Sequence, residues 1–313
     1  MLYNTYSQYL KNKYGERVYK LPVNLPITCP NRDGTKGVGG CSFCGEVGAA
    51  FENLPCTMSV GGQIAENMAF IGRKYKAKKF IAYFQNFSNT YMPLEKFKEN
   101  IRAANAENIV GIAVSTRPDC ISDEYMSFLS DFSKETGIDI LIELGLQTVN
   151  YKTLEKINRG HSLAEFIDAV LTVKKYGFEV CAHLILNLPW DTDADAVECA
   201  KILSALRVDQ VKLHSLYIVK DTPLADMYVN GEIEMGTYMD YVERVILFLE
   251  YLSPDIVIQR LIGRAKEEHT LFSNYGTSWW KIKDTIDALL EERRTYQGRK
   301  CDYLGGSALK KFV

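Results

Sequence analysis

The sequence predicts an α/β protein: a partial (β/α)6, TIM-like barrel over residues 1–217, followed by a mainly helical extension over 218–313. Three observations predict it. Short apolar runs rich in Val, Ile, Leu, Phe and Tyr alternate six times with helical periodicity. Such alternation calls for parallel strands joined by right-handed helical crossovers. And the first strand runs into cysteines, where a flat doubly wound sheet would bring a GxGxxG phosphate loop.

The strand candidates, in order, are 17–25 (RVYKLPVNL), 78–85, 108–116, 138–146, 178–186 and 208–216. Each is nearly continuous in apolar residues, as a parallel strand covered on both faces should be. The helical patterns fall at about 59–76, 93–106, 122–135, 162–176 and 191–206. Several open on a cap signal: Ser122 before Glu124, Ser162 before Glu165, and Asp191. Beyond 217 the pattern is helical at 236–252 and 277–296, which suits elements packed on the barrel's side.

Composition excludes several classes. The 313 residues are 47% hydrophobic and 24% charged, ordinary for a globular chain. With 37 basic against 39 acidic residues, net charge gives no whole-chain signal for nucleic acid. The N-terminus MLYNTYSQYLKNKYGERVYK lacks the apolar core of a secretory signal. No apolar run approaches the roughly 20 residues of a membrane span, so a cytoplasmic location without a membrane partner is expected. Eight cysteines in a reducing compartment read as thiols or metal ligands before disulfides.

Their spacing sharpens that reading. After the first strand comes LPITCPNRDGTKGVGGCSFCGE, a C-x11-C-x2-C pattern made by Cys29, Cys41 and Cys44. Three thiolates suit soft metals and leave one corner of a four-iron cluster open. A structural zinc site would fill all four positions, here with Cys56 or a histidine. Position favours the cluster, because function in barrels collects at the C-terminal ends of strands. Each predicted strand ends in polar residues: the cysteine loop 29–44, Gln85–Asn86, Ser115 with Arg117, Glu143 with Gln147, His183 with Asn187, and His214 with Lys220. A zinc module explains only the cysteines; a cofactor site at the barrel mouth explains all six ends.

These segments resemble the radical S-adenosylmethionine (SAM) enzymes, in particular the bacterial group close to the radical SAM domain of the elongator catalytic subunit. The resemblance rests on CPNRDGTKGVGGCSFC, AYFQNFSNTY, STRPDC, IELGLQT, INRGHS, HLILNLP and IVKDTPLA, in that order over nearly the whole chain. It implies a [4Fe–4S] cluster on Cys29, Cys41 and Cys44, with SAM chelating the fourth iron through its amino and carboxylate groups. It further implies an enzyme that cleaves SAM reductively to a 5′-deoxyadenosyl radical, supplied by an electron donor such as a flavodoxin or ferredoxin. By position, Phe43 would meet the adenine through its backbone, and Gln85 and its neighbours the methionine amino group. Glu143 would bind the ribose hydroxyls, Arg159 the carboxylate, and His183 and Val219 would lie near the adenine. Ser115, Arg117, Gln147 and His214 complete the cofactor-binding set at the mouth. Two segments depart from the family pattern. Asn187 and Trp190 stand where the fifth-strand motif usually reads G-L-P-G, and Asn187 is expected to preserve a positive-φ turn; Asp221 stands where K-G-T is usual.

Simpler readings stand beside these. Glu143 could bridge to a core Arg or Lys, Arg159 could close a helix before Gly160, and His183 and His214 could be interior histidines. Cys56, Cys120, Cys181, Cys199 and Cys301 read as small buried hydrophobes. For the substrate, the elongator-like resemblance implies a wobble uridine of tRNA. Fewer than 100 residues follow the last predicted strand, too few for an acetyltransferase domain as well as the packing tail. That favours a related task, such as trimming carboxymethylaminomethyl-uridine to aminomethyl-uridine. RKYKAKK (73–79) and the basic residues Arg293, Arg294, Arg299, Lys300, Lys310 and Lys311 are candidate tRNA contacts. The alternatives are a radical enzyme acting on a small molecule or peptide, and a non-catalytic zinc or iron–sulfur scaffold that binds RNA.

Overall fold

The computed structural model describes residues 2–45, 54–263 and 267–312. The six predicted strands are present as β1 (Val18–Val23), β2 (Lys79–Phe84), β3 (Ile109–Thr116), β4 (Asp139–Gln147), β5 (Glu179–Ile185) and β6 (Gln210–His214). All pair in parallel, in chain order. Three more strands follow: β7 (Ile218–Val219), β8 (Val257–Arg260) and β9 (Thr270–Phe272). β7 and β9 form a small antiparallel pair, whereas β8 joins the main sheet parallel to β6. The barrel therefore has seven strands, and the seventh comes from the segment read as a helical tail. Its four residues, Val-Ile-Gln-Arg, are too few to register as a period beside the long helices that flank them.

The helices are α1 (Tyr6–Tyr14), α2 (Val60–Tyr75), α3 (Leu94–Ala103), α4 (Asp123–Thr136), α5 (Tyr151–Lys156), α6 (Leu163–Lys175), α7 (Asp193–Ala205), α8 (Pro223–Val229), α9 (Tyr238–Tyr251) and α10 (Trp279–Glu292). Ser162 caps α6 in a full capping box with Glu165, as its sequence predicts. For α7 the cap is Thr192 with Asp195, one residue beyond the expected Asp191.

Strand alternation divides the interior into two layers. Leu21, Val23, Phe84, Ile112, Val114, Ile142, Leu144 and Val180 face the helices in the large apolar core. Val18, Ile81, Tyr83, Ala113, Leu141 and Cys181 face inward, where Leu10 of α1 packs against them. α1 thus plugs the end of the barrel where the strands begin. The plug is tied in place by the backbone: Ile258 N–H of β8 donates to Asn4 O at 2.8 Å, and Thr5 bridges Ile258. Across the gap between the sheet's edges, Lys20 of β1 donates to Gln259 of β8 at 2.8 Å. With that end covered by α1, the strand ends form the mouth of the lumen.

Candidate active site at the barrel mouth

The cysteine loop lies over that open end and is stitched to three neighbours. Ser42 N–H donates to Ile157 O at 2.9 Å, and Leu224 N–H of α8 donates to Ser42 O at 3.0 Å. At its end, Gly45 passes so close to Val219 that a Cβ would sit 2.9 Å from the valine methyl. Phe43 packs into an apolar cluster with Leu154, Ile157, Leu188, Leu216 and Ile218. The loop is thereby placed against the turn after β4 and the segment after β6, as the sequence order at the strand ends suggested.

Each thiol meets its own guanidinium. Arg32 Nη2 donates to Cys44 Sγ at 3.4 Å, and Arg159 Nη1 to Cys41 Sγ at 3.4 Å. Arg117 Nη1 approaches Cys29 Sγ at 4.0 Å. Burial and the charge of Cys41 push the Cys44 thiol up, while Arg32 pulls it back towards the thiolate a metal needs. The three sulfurs do not all lie within 4.8 Å of one another. Thiolates on one tetrahedral zinc would stand about 3.8 Å apart, given Zn–S near 2.3 Å, so a wider, polynuclear group fits this donor set better. Among the described residues no other Cys, His, Asp or Glu forms a tight ligand group with these cysteines.

The arginines are held from behind. Arg117 is buried, forks onto Asp119 with two bonds of 2.8 Å, and also donates to Arg159 O at 2.9 Å. Arg159 Nη2 donates to Gly145 O at 2.7 Å, an approach open only because residue 145 has no Cβ. Arg159 Nε is buried without a partner, as are Asn31 Oδ1, Ser42 Oγ and Asn86 Oδ1. Buried polar atoms without partners are uncommon, and four around one loop fit a polar cofactor placed there. The loop after β2 carries strain: Phe87 takes φ 50° and lies 5.3 Å below the Arg32 guanidinium.

The other predicted residues divide by depth. Gln85 and Gln147 sit at the ends of β2 and β4, with Gln147 at φ 74° beside a register shift against β5. Glu143, Ser115, His183 and His214 lie deeper in the lumen. The Glu143 carboxylate bonds Lys20 on one oxygen, and on the other receives His183 Nε2 at 2.7 Å, Lys212 Nζ at 3.2 Å and Ser115 Oγ at 3.4 Å. This is the simpler bridge to core lysines, so a ribose contact would have to exchange one of these partners. Burial alone would raise the Glu143 carboxyl, but Lys20, Lys212 and His183 outweigh it and hold it well below the usual range. Burial, then Lys212, lowers His183 to about 4; burial, then Arg260, keeps His214 neutral. Burial also lowers Lys212, to about 8.

Two departures from the family pattern resolve differently. Asp221 takes φ 60°, the left-handed conformation for which glycine is the default. Asn187 does not take a positive φ, contrary to expectation. Its side chain instead accepts from Leu216 N–H at 2.6 Å and donates to Tyr275 OH at 2.8 Å.

Sequence reasoning missed Arg32, Lys20, Lys212, Gln259 and Arg260. For the two lysines a signal existed: each interrupts an apolar parallel strand, where a charge needs a partner.

A domain model of the radical SAM superfamily matches residues 31–203, and one for the radical SAM C-terminal domain matches 208–292. The chain belongs to the radical SAM superfamily. YtqA of Bacillus subtilis is 34% identical over 298 residues, spanning 95% of this chain and 92% of that protein. MJ0486 of Methanocaldococcus jannaschii is 36% identical over 307 residues, spanning 96% and 92%. The tRNA uridine(34) acetyltransferase of M. jannaschii is 26% identical over 169 residues, spanning 53% of this chain and 30% of that protein. In fold, the chain is similar to the archaeal Elp3 of Methanocaldococcus infernus: TM-score 0.68 at 16% identity, covering 90% of this chain and 64% of that one. This radical SAM enzyme therefore works with a [4Fe–4S] cluster and SAM, and needs a reductant. Among its described residues, no helix is long and apolar enough to cross a membrane.

Proposed function

We propose that Cys29, Cys41 and Cys44 carry the cluster, and that the enzyme modifies the side chain of a tRNA wobble uridine, trimming carboxymethylaminomethyl to aminomethyl. The observation that carries the cluster assignment is the pairing of three guanidiniums with three thiols spread too widely for a single ion. When bound, cluster and SAM supply a radical able to abstract hydrogen from an unreactive carbon. The chain's own residues orient and neutralise. Arg32, Arg117 and Arg159 offset thiolate charge, and the free Arg159 Nε is the donor left for the SAM carboxylate. Asn86 Oδ1, buried at the end of β2, is an acceptor suited to the methionine ammonium. α1 closes the far end of the lumen, so water and substrate share one entrance.

The tRNA part is supported by likeness to the tRNA uridine(34) acetyltransferase over about half of this chain. Charge does not add to it. The run 73–79 ends α2 and leads into the first residue of β2, at the end of the barrel opposite the cysteines. Lys300 N–H bonds Glu250 O at the end of α9, which also faces that end, and Arg293 is paired with Glu243. Exposed cations on segments that follow the strand ends include Lys36, Lys152, Lys156 and Lys220.

Two measurements test the proposal. Anaerobic reconstitution with dithionite and SAM should yield 5′-deoxyadenosine and about four irons per chain, both lost in Cys29→Ser. Comparing modified nucleosides in tRNA from cells with and without the protein should reveal carboxymethylaminomethyl-uridine accumulating in its absence. Unchanged wobble uridines would remove the tRNA part and leave the radical chemistry intact.

A further inference from the structure

Beneath the cysteine loop, one polar layer crosses the lumen, contributed by nearly every strand. It comprises Lys20 (β1), Tyr83 (β2), Ser115 (β3), Glu143 (β4), His183 (β5), Lys212 (β6), and Gln259 and Arg260 (β8). Ser115 Oγ donates to Tyr83 OH at 3.1 Å, and Lys212 Nζ to the same oxygen at 2.7 Å. Arg260 Nη2 lies 2.6 Å from His214 Nδ1, and the two histidine rings stand 5.2 Å apart.

This layer is a floor, not a sealed core. The side chains of Lys20, His183 and Lys212 keep 17%, 14% and 10% of their surface accessible, while that of Glu143 keeps 0%. α1 packs against the strand-start end, so the layer lies between that plug and the cysteine loop.

Its charge does not balance. Lys20, Lys212 and Arg260 face a single carboxylate, Glu143. The Tyr83 phenol and the Cys181 thiol are pushed up by burial and stay neutral, and both histidines are held neutral. Among the described residues no carboxylate lies within salt-bridge distance of Arg260. Glu143 already serves both lysines. Two uncompensated positive charges in a lumen this poorly hydrated are costly unless something anionic joins them.

We infer that this floor is a binding site for an anionic oxygen group of the substrate, received by Arg260 and Lys212. These two are register partners on adjacent strands, so one two-oxygen group can reach both. The inference rests on the reading that substrate enters at the barrel mouth. A carboxymethylaminomethyl group would bring a carboxylate to this floor and leave its methylene above it, towards the cysteine loop.

The test uses reconstituted enzyme labelled with ¹⁵N-histidine, which has only four histidines to resolve. Acetate and, separately, inorganic phosphate are titrated at constant ionic strength, with His214 and His183 as reporters and the exposed His269 as control. Saturable shifts at His214 and His183 are expected, weakened at least tenfold in Arg260→Gln and Lys212→Met and largely kept in Arg260→Lys. If Arg260→Gln does not fold, Lys212→Met and Arg260→Lys still decide the matter. Saturation by acetate marks a carboxylate site and saturation by phosphate alone a phosphate site; either supports an anionic substrate group. No saturable shift with either anion, or equal shifts in Arg260→Gln, overturns it. If wobble uridines are unchanged in cells lacking the protein while the acetate shift persists, the tRNA reading falls and the anion site stands.

Discussion

Replacing Glu143 by Gln should be among the most damaging single changes that leave volume unaltered. The carboxylate is fully buried and is the shared partner of Lys20, Lys212 and His183. An amide keeps one acceptor oxygen and turns the other position into a donor. Whichever way it is oriented, an NH2 then faces either Lys20 or the His183–Lys212 pair. Breaking one half of a buried ion pair costs about 3–5 kcal/mol, because the remaining charge is stranded. Here two features reduce that. Both ammoniums keep some contact with water, and Lys212 can shed its proton, being held at about 8 even with Glu143 present. The expected loss at pH 7 is therefore about 3 kcal/mol, a large part of the 5–15 kcal/mol typical of a folded domain. The assay is anaerobic urea unfolding of wild type, Glu143→Gln, Lys212→Met and the double variant. The sign for Lys212 follows from its depressed pKa. Between about pH 8 and 10.4 the unfolded chain binds more protons, so the burial penalty is present below that window and relieved as pH rises through it. The cost of Glu143→Gln should accordingly shrink at pH 9.5, and the double variant should be more stable than additivity predicts by about 1–3 kcal/mol. A loss below 1 kcal/mol at pH 7, or strict additivity, would refute the idea that this carboxylate holds the floor together.

Further expectations follow from the same contacts. Removing an N–H···S donor by Arg32→Gln or Arg159→Gln should lower the cluster's midpoint potential by about 50–100 mV, since 1.4 kcal/mol is about 60 mV for one electron; redox titration followed by EPR reads it, and an unchanged potential would reject the role. Acid should destabilise the fold between pH 6.5 and 4. His183 sits at about 4 when folded, so the unfolded chain takes up its proton first, and stability worth about 3 kcal/mol drains as pH falls through that window. His161, lowered to about 3 by burial, Arg159 and Arg117, extends the loss further down, which a flat urea midpoint from pH 7 to 4.5 would contradict. Leu10→Ala, at the centre of the α1 plug, should cost about 2 kcal/mol in thermal or urea unfolding and raise uncoupled SAM consumption by admitting water from below.

The fold was legible wherever the signal was local. Six strands and the helices between them show in the sequence because each buries two faces and spells a near-continuous apolar run. β8 did not show: four residues carry no period, and its place is set by pairing with β6 rather than by its own composition. The cysteine loop stood out for the same local reason, since three cysteines within sixteen residues form a motif. What holds them was half legible. Arg117 and Arg159 stood at strand and helix ends where a functional reading would look, but Arg32 inside the loop passed as one more polar residue.

The lumen floor shows where reading by segments stops. No two of Lys20, Glu143, Lys212 and Arg260 are near in sequence, and each alone reads as a single charge seeking one partner: a lysine within a strand, a core carboxylate, a charged residue in a tail. Only the parallel register, which sets Lys212 beside Arg260 and closes β1 towards β8 through Lys20 and Gln259, turns them into one surface with more positive charge than it can neutralise. On the proposed reading of the floor, strand order is thus part of how the substrate is recognised. The proposed anion site lies at the floor of the lumen and the cysteine loop over its mouth, so the two are separate parts of the barrel. That separation predicts that exchanging Arg260 and Lys212 for neutral residues alters which substrates react far more than it alters cluster assembly. Iron content measured beside substrate turnover tests this directly: a parallel fall in both would mean that floor and cluster are not separable.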